Sequence, residues 1–158
     1  MNSGKKIALF ITFFLGGMFV EWLGVSYGLL FGDYHYGRHF GPKLEGVPWL
    51  IGVNWAILTF VTGAIAQQWF KAFWLKVSAG AFLMVFLDFF MEVSASKFDF
   101  WHWDEAVAPL QNYVAWFGVA LLFHWILQRF KGEGNVTFAY HLYAAQLFFF
   151  VYFFFWHT

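Results

Sequence analysis

The chain has 158 residues, 61% of them hydrophobic and 11% charged, with a mean hydropathy of +0.61 and a formal net charge of zero. A soluble domain carries about 25% charged residues, so this is the composition of an integral membrane protein. Zero net charge excludes a basic surface for nucleic acid, and the absence of cysteine excludes disulfides, thiolate metal sites and cysteine nucleophiles.

A membrane-spanning helix needs about 20 mostly apolar residues. Five stretches qualify in chain order: Ile7 to Phe31, Leu50 to Phe70, Phe73 to Ser94, Asn112 to Arg129 and Phe138 to Trp156. Lys5 and Lys6 precede the first run in the manner of a signal peptide. That run is long, contains Glu21 and lacks an A-x-A pattern, so it reads as a true span. The expected fold is therefore all-α, a polytopic membrane helix bundle filling a single domain over residues 1–158. The aromatic excess, 25 Phe with 10 Trp and 7 Tyr, suits lipid-facing surface and interfacial belts or the lining of a cavity for a long apolar ligand.

Lysine and arginine set the expected orientation. With the N-terminus in the cytoplasm, Lys5, Lys6, Lys71, Lys76, Arg129 and Lys131 fall inside, and Arg38, Lys43 and Lys97 outside. Of the acids, only Glu133 then lies inside. Glu21, Asp33, Glu45, Asp88, Glu92, Asp99, Asp104 and Glu105 gather toward the outer leaflet, which is where chemistry is expected. A multi-pass membrane location with the N-terminus inside is expected.

The sequence repeats internally. Phe31, Tyr34, His35 and Tyr36 match Phe98, Trp101, His102 and Trp103 at an offset of 67, which also carries Glu21 onto Asp88. Pro48, Val53, Trp55 and Gln67 match Pro109, Val114, Trp116 and Gln128 at an offset of 61. This predicts a tandem two-helix repeat over roughly 7–71 and 73–131, related by a two-fold along the membrane normal, with an extra helix at 138–156. Glu21 and Asp88 would then face one another at one depth. The Gly- and Pro-rich outer loops GDYHYG and FDFWHWD either dip inward as caps or anchor at the interface.

A charged side chain at a bilayer centre costs roughly 3 kcal/mol on insertion scales, so Glu21, Asp88 and Glu92 are the candidate catalytic residues. Asp88 and Glu92 stand at i, i+4 and share a helix face. Two close carboxylates in a poor dielectric do not both ionise, which makes a general acid beside a base. The competing reading is a structural polar network with Asn54, Tyr27 or Tyr113. Loop residues Asp33, His35, Asp99 and His102 form a second acid–histidine group. No HExxH or similar spacing marks a metal site, and none is expected. His124 and His141 lie at similar depth, as a bis-histidine haem would need, although interfacial polar residues explain them more simply.

Glu21 to Trp55 (EWLGVSYGLLFGDYHYGRHFGPKLEGVPWLIGVNW) and Leu87 to Phe117 (LDFFMEVSASKFDFWHWDEAVAPLQNYVAWF) resemble the bacterial carotenoid biosynthesis protein family, which includes carotenoid 1,2-hydratases and the bisanhydrobacterioruberin hydratase. One departure is Val93, where the family pattern has Pro after Glu92. The resemblance implies addition of water to the terminal C1–C2 double bond of an acyclic carotenoid end, with no redox cofactor or metal. Asp88 would donate the proton, and Glu21 or Glu92 would take one from water. Tyr36, Trp101 and Trp103 would shield the cation through their ring faces. Trp55, Asn112 and Trp116 complete the expected substrate-binding set. The partners implied are an acyclic carotenoid, water and the lipid bilayer, with a homo-oligomer or a second membrane subunit compatible with so short a chain. A cyclase-like end-group enzyme and a non-enzymatic pigment- or haem-binding subunit are the alternatives.

Overall fold

A computed structural model describes residues 3–156. Five helices cross it: α1 (Ser3–Tyr27), α2 (Trp49–Trp69), α3 (Phe73–Ala95), α4 (Leu110–Arg129) and α5 (Val136–Phe155). All five are long and apolar enough to span a membrane, and the protein is an all-α polytopic bundle. Four short strands lie in the loops at one end: β1 (Tyr34–Tyr36), β2 (Lys43–Leu44), β3 (Val47–Pro48) and β4 (Trp101–Trp103).

Four of the five spans begin and end within two residues of the sequence reading. The first differs: α1 stops at Tyr27, not Phe31. Gly28 takes a left-handed φ of +62° and donates its N–H to the Gly24 carbonyl at 2.8 Å, a glycine C-cap that ends the helix. The chain then leaves the helical path, and Phe31 folds back into the core at 1% exposure.

β2 and β3 form a hairpin whose central residues, Glu45 and Gly46, both have positive φ. That geometry matches the right-handed twist of its flanking strands. The hairpin delivers the chain to Pro48, which precedes α2 as Pro109 precedes α4. β1 and β4 pair antiparallel with Tyr34 opposite Trp103, His35 opposite His102 and Tyr36 opposite Trp101. This ribbon caps the bundle, with Tyr36, Trp101 and Trp103 all buried.

Several positions matched by the repeat offsets touch their own counterparts. His35 stacks on His102 with centroids 5.4 Å apart, and Trp55 on Trp116 at 3.9 Å. Near the opposite end, Gln67 Nε2 donates to Gln128 Oε1 at 3.1 Å. Between these levels α2, α3 and α4 meet around His124, which is fully buried. Gly80 permits that approach, since a Cβ there would lie 2.1 Å from His124 Cδ2. α5 packs against α2 and α3, and its Tyr143 hydroxyl donates to the Leu83 carbonyl at 2.8 Å. Much of the phenylalanine faces outward, including Phe82, Phe86, Phe89, Phe148 and Phe149.

Candidate functional site

The three acids of the apolar segments are all buried: Glu21 on α1, Asp88 and Glu92 on α3. An unpaired buried charge is prohibitively expensive, and hydrogen-bond donors are what make it tolerable. Two of the three acids have donors in full. Glu21 Oε2 accepts from the Tyr34 hydroxyl at 2.5 Å and the Tyr36 hydroxyl at 2.8 Å, and its Oε1 accepts from Trp55 Nε1 at 2.8 Å. Glu92 Oε2 accepts from Trp101 Nε1 at 2.8 Å and Trp103 Nε1 at 2.7 Å, and its Oε1 accepts from Asn112 Nδ2 at 3.0 Å. Hydrogen bonds to charged groups contribute about 1.5–3 kcal/mol each, so each set of three offsets a large part of the burial cost.

The ribbon explains how so many donors converge. Side chains alternate across a strand, so Tyr34 and Tyr36 share one face of β1 while Trp101 and Trp103 share one face of β4. That face looks into the bundle and delivers four donors to two carboxylates. The opposite face carries the stacked pair His35 and His102. Burial, and then the charge of Glu21, push the phenols of Tyr34 and Tyr36 well above their ordinary range, so both stay protonated donors.

Between the carboxylates is a cavity of about 20 Å³. Glu21, Glu92, Tyr34 and Tyr36 face it, with Phe31, Ile51, Asn112 and the indoles of Trp101, Trp103 and Trp116 closing the walls. A water molecule needs roughly 10–15 Å³ and two to four polar partners. The space therefore suits one water held between two carboxylates.

Asp88 is placed differently from expectation. The residue across the cavity from Glu21 is Glu92, and Asp88 is not among the groups lining the space. Glu92 stands one helical turn nearer the ribbon, so it, rather than Asp88, reaches the tryptophan N–H groups. Asp88 lies a turn deeper on α3, fully buried, and neither carboxyl oxygen has a hydrogen-bond partner among the described residues.

Other expected site residues sort cleanly. Tyr36, Trp55, Trp101, Trp103, Asn112 and Trp116 all meet at the two carboxylates or the cavity. Trp101 and Trp103 turn their N–H groups onto Glu92 and also line the cavity. Asp33, His35, Asp99 and His102 stay outside it. Asp99 accepts from the Arg38 backbone N–H at 3.0 Å and pairs with His102 Nε2 at 2.8 Å. These contacts, the His102 bond first, hold the Asp99 carboxyl below the usual carboxylate range. His35 approaches Asp104 at 3.8 Å and not its neighbour Asp33. Of the structural partners considered for the acids, Tyr27 is exposed and Asn54 Nδ2 is unpartnered. Tyr34 and Phe31 were missed as site residues. Tyr34 was findable, because it shares Tyr36's side of an alternating strand.

Among the described residues, no group of three His, Asp or Glu is placed to hold a metal ion. His124 has both ring nitrogens occupied, by Thr62 Oγ1 at 2.8 Å and the Ala120 carbonyl at 2.7 Å. His141 Nδ1 contacts the Thr137 carbonyl of its own helix at 2.7 Å.

A family model described as carotenoid biosynthesis protein matches residues 1–158. The chain belongs to the carotenoid biosynthesis protein family. No curated protein and no solved structure gives a match. A role in carotenoid biosynthesis accords with the architecture. Carotenoids are long apolar polyenes that dissolve in a bilayer, and the buried acids of this family member stand on helices long and apolar enough to span one.

Proposed function

We propose that the protein hydrates the terminal C1–C2 double bond of an acyclic carotenoid end, giving a tertiary alcohol. The observation that carries this reading is the one-water cavity between Glu21 and Glu92. Asp88 supplies the proton by way of Glu92, one turn nearer the cavity, which passes it to the less substituted alkene carbon, the π pair forming the new C–H bond and leaving a tertiary cation with both acids ionised. The negative charge of the two glutamates stabilises that cation. Water in the cavity attacks it through oxygen, forming the C–O bond, and Glu92 or Glu21 takes the water proton. Glu92 and Asp88 stand one turn apart on α3, so a proton gained at Glu92 returns to Asp88 and no net proton is consumed. Tyr34, Tyr36, Trp55, Trp101, Trp103 and Asn112 hold the two bases in place. A cyclase would let a second double bond capture the cation. Water-sized space beside both bases favours water as the nucleophile.

We place the N-terminus in the cytoplasm of a bacterial inner membrane, which puts the site toward the outer leaflet. The test is expression in a lycopene-producing host, with pigments analysed by mass. Wild type is expected to yield products heavier by one or two waters, and Asp88→Asn and Glu92→Gln to yield none. Hydroxylated product from both variants overturns the assignment. Pigment of unchanged mass from wild type overturns hydration itself.

A further inference from the structure

The cavity that suits a water is too small for the branched end of a carotenoid, so a wall must move before the two can meet. Seven of its lining residues are tied by side-chain hydrogen bonds: Glu21 with Tyr34 and Tyr36, and Glu92 with Trp101, Trp103 and Asn112. Ile51 belongs to α2, and Trp116 belongs to α4 and lies against Trp55. Phe31 differs from all of these. It is outside every helix and strand, and its side chain is held by apolar packing without a hydrogen bond, its ring near those of Tyr34 and Trp116 with centroids 6.2 and 6.5 Å away. Its ring seats over Gly24, where a Cβ would lie 2.8 Å from Phe31 Cδ2.

The backbone around Phe31 is unusual. Gly28, Leu30 and Gly32 have φ of +62°, +72° and +106°. Leu30 has a side chain in a conformation that favours glycine, and strain of this kind clusters at moving parts. Leu29 and Leu30 are exposed on the outer surface of the turn, and Leu110 and Val114 are exposed at the start of α4. Gly32 packs on Pro109, which closes the seam between the end of α1 and α4. In water, turning Phe31 outward would be opposed by the hydrophobic effect. In a bilayer the lipid tails are as apolar as the core, so that opposition largely vanishes.

We propose that Phe31 is the movable wall of the site: its ring swings toward lipid and the acyclic end of the carotenoid takes its place beside Glu21 and Glu92. The vacated space is comparable to the branched end of the polyene, which makes Phe31 a specificity-determining residue. This rests on the hydration reading for the identity of the occupant, but not for the movement.

The chain has no cysteine, so a single introduced thiol is read without background. Phe31→Cys and Ala120→Cys, at 1% and 0% exposure in the closed structure, are reconstituted in lipid vesicles and treated with a membrane-permeant maleimide. Position 31 is expected to label at least tenfold faster than position 120, and to be protected when the vesicles contain lycopene. Equal protection at both positions overturns the movable wall. In the lycopene-producing host, Phe31→Trp is expected to lower hydrated product at least tenfold. Phe31→Ala is expected to shift hydration at least tenfold from lycopene ends toward bulkier ends. Product yields unchanged by both substitutions overturn the specificity role. Fast labelling at position 31 with no hydrated product from wild type supports the movement and removes the hydration reading alone.

Discussion

The indole of Trp55 lies flat on that of Trp116, with centroids 3.9 Å apart and planes within 18°. Trp55 also turns its N–H onto Glu21, so one side chain joins the helix interface to the carboxylate site. The two roles separate by substitution. Trp55→Phe keeps a ring in the stack but removes a donor from a buried carboxylate, with an expected cost of about 1–3 kcal/mol. Trp116→Ala removes the ring and leaves a cavity, with an expected cost of about 3–5 kcal/mol. Thermal unfolding in detergent, followed by circular dichroism, checks the order. Equal losses would mean that the N–H bond is incidental.

Asp88 is fully buried next to the Asn112 amide and Glu92, and no hydrogen bond within 3.5 Å fixes its oxygens among the described residues. Replacing such a group by an apolar one of similar shape is neutral or stabilising. Asp88→Leu is therefore expected to leave stability unchanged or raise it by about 1–3 kcal/mol, while abolishing hydrated product. Unfolding and pigment analysis on the same preparation decide it. A destabilised variant would show that Asp88 is structural.

Glu21→Gln and Glu92→Gln are expected to fold. A glutamine keeps one carbonyl that can accept both indole N–H groups at position 92, and the Asn112 amide can turn its own carbonyl to the new NH₂. General acid–base roles contribute about 10²–10⁴-fold, so each variant is expected to lose at least about 100-fold in hydration. Activity within about threefold of wild type in both would exclude the glutamates as bases.

Gly80 is where α3 accepts the His124 ring. Gly80→Ala forces a Cβ against that ring, and overpacking of this kind costs about 1–3 kcal/mol or more. Stability should fall, while hydration per folded molecule stays as in wild type. A matching loss in specific activity would connect His124 to the chemistry.

Asp99 ties β1 to β4 from outside, through the Arg38 N–H and His102. Its carboxyl is held below the ordinary range, so its contribution is present above the unfolded value. It is lost as pH falls through the lower folded value, in the region below about pH 4. The protection of the Arg38 and Gly37 amides from hydrogen exchange, relative to the unstructured rate at the same pH, is expected to fall there in wild type, and to be low at all pH values in Asp99→Asn. Protection independent of pH in wild type would show that Asp99 does not hold the ribbon.

Hydropathy, length and charge suffice to read five spans, because each span must satisfy its own backbone within the bilayer and carries that requirement locally. The buried acids were legible for a similar reason: Glu21, Asp88 and Glu92 stand out against apolar neighbours whatever the fold. So were the offsets that bring Trp55 onto Trp116 and His35 onto His102. The end of α1 was not read correctly, since an apolar run through Phe31 hides the left-handed turn at Gly28. Partner choice was beyond local reading altogether. Whether Asp88 or Glu92 faces Glu21 depends on how far out along α3 the tryptophan N–H groups of the ribbon reach. That ribbon forms only when Tyr34–Tyr36 meets Trp101–Trp103 from the other half of the chain. The tertiary structure decided it, because hydrogen-bond reach of about 3 Å is far finer than one helical turn of 5.4 Å.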